Sequence, residues 1–121
     1  MSQDKELEIQ MQFLEEATDY LNTLEGILLE FKANRRIELQ KINAALRAVH
    51  SIKGGAGIMG FRTLSDLAHR LEDYLKVLKT PKNSLQFDTE LHSLLLSAVD
   101  WLRQIVELLS VGHVVDFCPS S

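Results

Sequence analysis

The sequence predicts an all-α chain: an antiparallel up-down four-helix bundle, with or without a short fifth C-terminal element. In four separate segments apolar residues recur at steps of three and four, the period of one helix face. No segment sustains the apolar–polar alternation of a strand. The connections between the segments are short, which makes consecutive helices antiparallel neighbours.

The first segment runs from about Lys5 to Lys32. Leu7, Leu14, Leu21 and Leu28 recur every seven residues, and Ala17, Leu24 and Phe31 fill the same stripe. The second runs from about Arg36 to Met59 on Leu39, Ile42, Leu46, Val49, Ile52, Ala56 and Met59. The third opens near Thr63 and reaches Lys79, with Leu64, Leu67, Ala68, Leu71, Leu75 and Leu78 inward. Lys79 to Ser84 reads as a loop, because Pro81 cannot continue a helix and Asn83-Ser84 favours a turn. The fourth starts after Asp88, a suitable N-cap, and carries Leu91, Leu95, Ala98, Leu102, Ile105 and Leu109. Gly112 is its expected stop. The core is expected at about residues 5–110 of a single domain, with 111–121 as a tail or the start of a fifth element.

A chain of 121 residues suits one domain and can bury a core without staples. Its 45% hydrophobic and 25% charged residues are those of an ordinary globule. The net charge of −4 argues against nucleic acid, whose binding needs a basic face. The basic residues Lys32, Arg35, Arg36, Lys41 and Arg47 read either as a solvated helix face or as a partner-docking surface. Cys118 is the single cysteine, so no internal disulfide forms. The N-terminus has no apolar signal core, and no run approaches the ~18 apolar residues of a membrane span. A soluble cytoplasmic protein is therefore expected, and a single four-helix bundle that closes its own core favours a monomer.

The anomaly is His50-Ser51-Ile52-Lys53-Gly54-Gly55-Ala56-Gly57-Ile58-Met59-Gly60-Phe61. Three glycines fall within four positions, each costing about 1 kcal/mol relative to alanine inside a helix. Yet Val49, Ile52, Ala56 and Met59 keep the helical step through them, so the helix is expected to run to Met59 and stop at Gly60. At 100° per residue, Gly54 lies about 40° from His50, Gly57 about 20° to the other side, and Lys53 about 60° away. The imidazole thus projects beside bare backbone that another protein could approach. Close helix packing is the competing explanation, and it suits Gly55 and Ala56 better than Gly54 and Gly57.

In the third segment His69, Glu72 and Lys76 share one face. His50 lies about ten residues before the turn at Gly60-Phe61 and Glu72 about eleven after it, similar heights in an antiparallel hairpin. Glu72 is therefore expected to reach His50; a solvent-exposed Glu72–Lys76 pair is the plainer alternative. A carboxylate on one ring nitrogen fixes the tautomer and leaves the other nitrogen as a nucleophile. Lys53 could then neutralise a phosphoryl group carried there. There is no Walker A loop or kinase-type glycine-rich loop, so any nucleotide site and its divalent metal, Mg²⁺, would belong to a partner.

The segment A-V-H-S-I-K-G-G-A-G-I-M-G-F, followed by Leu67-Ala68-His69-Arg70-Leu71-Glu72, resembles the signature of histidine phosphotransfer (HPt) domains. It is most similar to the N-terminal phosphotransfer domain of CheA-type chemotaxis histidine kinases, over about residues 5–110. The resemblance implies that His50 is phosphorylated at Nε2 and that Glu72 hydrogen-bonds Nδ1. It places Lys53 and His69 in the surrounding polar network and makes Gly54 and Gly57 docking positions. It implies partners: a histidine kinase catalytic domain and the receiver domain of a response regulator. The module would carry a phosphoryl group rather than act as an enzyme. CheA-type domains often carry a fifth helix, where this chain has only a short tail. A kinase domain beyond Ser121 and a free-standing carrier both fit.

Two other classes compete. A metal or hydrolytic site would use His50, His69, Glu72 and His92, but one i,i+3 His/Glu pair is weak ligand spacing, and H-E-x-x-H is absent. A helical adaptor without chemistry explains the heptads but not three glycines beside a histidine.

Overall fold

The structure, a computed structural model, describes residues 2–34, 38–79 and 89–111. Within them the chain forms α1 (Ser2–Asn34), α2 (Leu39–Met59), α3 (Arg62–Lys79) and α4 (Thr89–Ser110), with no strand among the described residues. Each helix packs against two others, in the cyclic order α1–α2–α3–α4, which is the square cross-section of a four-helix bundle. Cross-helix contacts fix the directions. Glu30 pairs with Lys41, and Phe13 lies against Gly55, so α1 and α2 are antiparallel. His92 meets the Leu28 carbonyl while Arg103 reaches Asn22, so α1 and α4 are antiparallel as well.

The apolar stripes meet on the bundle axis. Leu14, Leu21, Leu24, Leu28, Ile42, Val49, Ile52, Leu64, Leu71, Leu75, Leu95 and Leu102 are essentially removed from water. Burying each such side chain stabilises the fold by about 1.5–3 kcal/mol before conformational entropy is counted.

Some expected positions depart from the stripes. Leu7 is 59% exposed. Phe13 lies opposite Gly55, so residue 9 falls level with Met59, the end of α2, and Leu7 lies beyond that end. Leu39 is also exposed, because it sits about 80° around α2 from the buried Val49. α2 begins at Leu39 rather than near Arg36: Glu38 is extended (φ −93°, ψ 132°), and its carbonyl accepts the first helical bond, from the Ile42 N–H at 3.0 Å. Val99 and Val106 join the core of α4 beside Leu95, Leu102 and Leu109. The expected loop after Lys79, the Asp88 cap, the Gly112 stop and the tail to Ser121 lie outside the described residues.

The α2–α3 turn is tight. Gly60 takes φ +83°, a left-handed conformation that costs most residues 1–2 kcal/mol and glycine almost nothing. The Phe61 N–H reaches back to the Ala56 carbonyl (2.8 Å) and the Gly60 N–H to the Gly57 carbonyl (3.3 Å), closing a Schellman cap. The helix therefore runs through all three glycines and ends where expected. This two-residue reversal holds α2 and α3 in the register that builds the site.

Candidate functional site

His50 on α2 and Glu72 on α3 meet across the hairpin. The Nδ1 of His50 lies 3.1 Å from Oε2 of Glu72, and the Nζ of Lys53 donates to Oε1 of the same carboxylate at 2.7 Å. One carboxylate thus holds both α2 side chains, one on each oxygen. Helix geometry explains the placement. On α3, Glu72 lies about 40° around from the buried Ala68, at the edge of the core stripe on the α2 side. Its side chain is 7% exposed, whereas the His50 side chain is 68% exposed and Lys53 28%. The buried member orients, and the exposed ring is presented.

Electrostatics keep Glu72 ionised. Burial opposes its charge, but the hydrogen bonds from Lys53 and His50 and the positive charges of Lys53 and Lys76 outweigh it. The carboxyl is held below its ordinary value of 4.5. An ionised carboxylate only accepts hydrogen bonds, so the ring must present Nδ1–H to it. The Nε2 lone pair is then left free on an exposed ring, the arrangement of a nitrogen nucleophile. An exposed Glu72–Lys76 pair, the plainer expectation, does not form; Lys76 contributes only as a nearby charge.

The glycines divide into two kinds. A Cβ on Gly55 would run into Cε1 of Phe13, whose ring is buried and stacks on Phe61 with centroids 6.2 Å apart. Gly55 is therefore bare because α1 packs against it. A Cβ on Gly54 would meet nothing within 4 Å, and one on Gly57 only the Ser65 hydroxyl at 3.7 Å. Internal packing does not account for Gly54, and Gly57 has room for a methyl group. Both lie on the His50 face, and the backbone there is open to a visitor.

His69 departs from expectation. Its Nε2 lies 4.0 Å from Oδ1 of Asp73, both side chains well exposed, and no hydrogen bond or ion pair joins it to His50, Lys53 or Glu72. It lies about 100° around α3 from Ala68, too far from the α2 side to enter the network. Ser65, which the sequence does not single out, ties α3 to α2 beside the site: its hydroxyl donates to the backbone carbonyl of Lys53 at 3.2 Å. It precedes Glu72 by seven residues and so shares its face, a spacing that could have revealed it. His92 is buried elsewhere in the bundle, where its Nε2 bonds the Leu28 carbonyl. Among the described residues, no three His, Cys, Asp or Glu side chains converge as a metal site. Nor is any described helix long and apolar enough to cross a membrane.

Comparison with known proteins gives a consistent result. Residues 8–109 match the family model of the Hpt domain. The chain is 34% identical to the chemotaxis protein CheA of Klebsiella aerogenes over 104 residues, 86% of this chain and 16% of that protein. It is 34% identical to the CheA of Rhizobium meliloti over 109 residues, 90% of this chain and 14% of that one. The chain thus spans about one seventh to one sixth of the length of these relatives. Among solved structures, it is similar to the CheA phosphotransferase domain from Thermotoga maritima. There the TM-score is 0.74 and the identity 31%, covering 85% of this chain and 95% of that one. It also resembles the phosphorylated P1 domain of CheA3 in complex with CheY6 from R. sphaeroides. There the TM-score is 0.76 and the identity 26%, covering 87% of this chain and 80% of that one.

Proposed function

The chain belongs to the Hpt domain family, and on that premise we propose that His50 is its phosphoacceptor. The module takes a phosphoryl group from a histidine kinase or a receiver domain and passes it to an aspartate of a response-regulator receiver domain. One observation carries the reading: Glu72 occupies Nδ1 of His50 with one oxygen and Lys53 with the other, so the exposed ring offers Nε2 alone.

In the first half-reaction the Nε2 lone pair attacks the phosphorus of the donor. The N–P bond forms, and the bond from phosphorus to the leaving oxygen breaks, releasing ADP or the donor carboxylate. The ring gains positive charge as the bond forms. Glu72, ionised and fixed against Nδ1–H, stabilises that charge without having to reorganise. In the second half-reaction an aspartate oxygen of the receiver attacks the same phosphorus, the N–P bond breaks, and the neutral ring is restored. Lys53 provides a cation beside the transferred group. This chain supplies the histidine, its orienting carboxylate and the ammonium. The partner supplies nucleotide or aspartate together with Mg²⁺, so the module is a carrier rather than an enzyme.

The identity to CheA proteins supports a place in a chemotaxis-type relay, as the phosphotransfer part of a CheA-like kinase. The likeness to a P1 domain solved with CheY6 supports a CheY-type receiver as acceptor. The test is to incubate the protein with a CheA-type kinase domain, radiolabelled ATP and Mg²⁺. The label should be lost in acid, survive base and be absent from His50→Gln. Incorporation into His50→Gln at the wild-type level overturns the assignment.

A further inference from the structure

Ile58 is 82% exposed, the most exposed large apolar side chain among the described residues. Nothing in the fold calls for it. A β-branched residue is a weaker helix former than alanine, leucine or lysine, and this one buries almost nothing in return. Its surroundings are equally unusual. One turn before it stands Gly54 and beside it Gly57, so on the side towards His50 the isoleucine rises from bare backbone.

Its position relative to His50 gives it a use. Eight residues on, Ile58 lies about 12 Å further along α2 and about 80° around it. A specific protein contact covers about 800 Å² per partner, a patch of roughly 16 Å radius. A protein that brings an acceptor group onto His50 therefore has Ile58 within its footprint. The shape of the surface favours approach from that side. Towards the N-terminus of α2 the exposed side chain is Arg47, a full residue in height, whereas towards the C-terminus the surface drops to the two glycines.

We infer that Ile58 is an apolar anchor for the receiver domain that accepts the phosphoryl group, and that it helps select which receivers are served. The inference rests on the proposed role of His50 and names a contact of that same face. The expected partner surface has an acidic phosphoacceptor pocket and, about 14 Å from it, an apolar recess. Enclosing an isoleucine there removes an apolar side chain from water, and a recess lacking that shape leaves it exposed. Affinity, and through it partner choice, then depends on Ile58 while the chemistry at Nε2 does not.

The test separates docking from chemistry. Wild type and Ile58→Ser are first phosphorylated with phosphoramidate, a small donor that needs no protein docking. Transfer to each of a panel of purified CheY-type receiver domains is then followed against receiver concentration. Both proteins should be labelled at equal rates. For the receivers that wild type serves best, Ile58→Ser should raise the half-saturating concentration about tenfold, with the plateau rate changed less than twofold. Ile58→Leu should recover most of the loss. Unchanged half-saturation for every receiver overturns the inference, as does a fall in plateau alone. If wild type carries its label on a residue other than His50, the proposed function fails as well, before any receiver is added.

Discussion

The Nδ1 of His50 and Oε2 of Glu72 lie 3.1 Å apart although 22 residues separate them in sequence. The donor sits on an exposed ring and the acceptor on a buried carboxylate that Lys53 also holds. Most of what the site is expected to do follows from this pairing.

Glu72→Ala should leave a folded bundle and slow phosphotransfer. Without the carboxylate the ring loses its fixed tautomer and the charge that balances its developing cation, an effect on the order of 10–100-fold. Circular dichroism should change little, because the residue lies at the edge of the core. A transfer rate equal to wild type would mean that Glu72 does not orient the ring.

Lys53→Ala should slow transfer by about tenfold, and the melting temperature should move by no more than about 5 °C. The Lys53–Glu72 bond is short but partly open to water, so its contribution to stability is modest. A bundle that unfolds on this change would show a structural role instead.

The acid stability of the fold should report on Glu72. Its carboxyl is lowered from 4.5, so it binds protons more readily in the unfolded chain than in the native one. By linkage its contribution is complete above about pH 4.5 and is lost as pH falls through the lowered native value. Urea unfolding of wild type and Glu72→Gln should therefore differ most near neutrality, and the difference should shrink as pH drops below about 4.5. A difference that stays constant down to about pH 3 would contradict the ionised, doubly bonded Glu72.

The two kinds of glycine should respond oppositely to alanine. Gly54→Ala meets open space and should stabilise the protein by about 0.5–1 kcal/mol through helix propensity. Gly55→Ala drives a methyl group into the buried Phe13 ring and should destabilise by about 1–3 kcal/mol. Chemical denaturation measures both. Equal effects would remove the distinction between a packed and a presented glycine.

The bundle was legible in the sequence because four long amphipathic segments with few breaks leave little else to form. The His50–Glu72 pairing was legible too, since Gly60 marked the turn and counting outward from it gave matching heights. Other features were not, for identifiable reasons. Leu7 carries the heptad as well as Leu14 does, but the period says nothing about where the partner helix ends. His69 shares a broad face with Glu72, and only the tertiary position of α2 separates the residue that reaches the site from the one that faces solvent. Gly55 and Gly54 are identical neighbours in sequence; Phe13, 42 positions away from Gly55, makes them different.

The central claim concerns one atom, Nε2 of His50. The most direct measurement is ³¹P and ¹⁵N NMR on the phosphorylated protein with ¹⁵N-labelled histidine. A phosphorus coupled to Nε2 of His50, with Nδ1 still protonated against Glu72, is the predicted result. Phosphorus on Nδ1, or on any residue other than His50, would contradict the account.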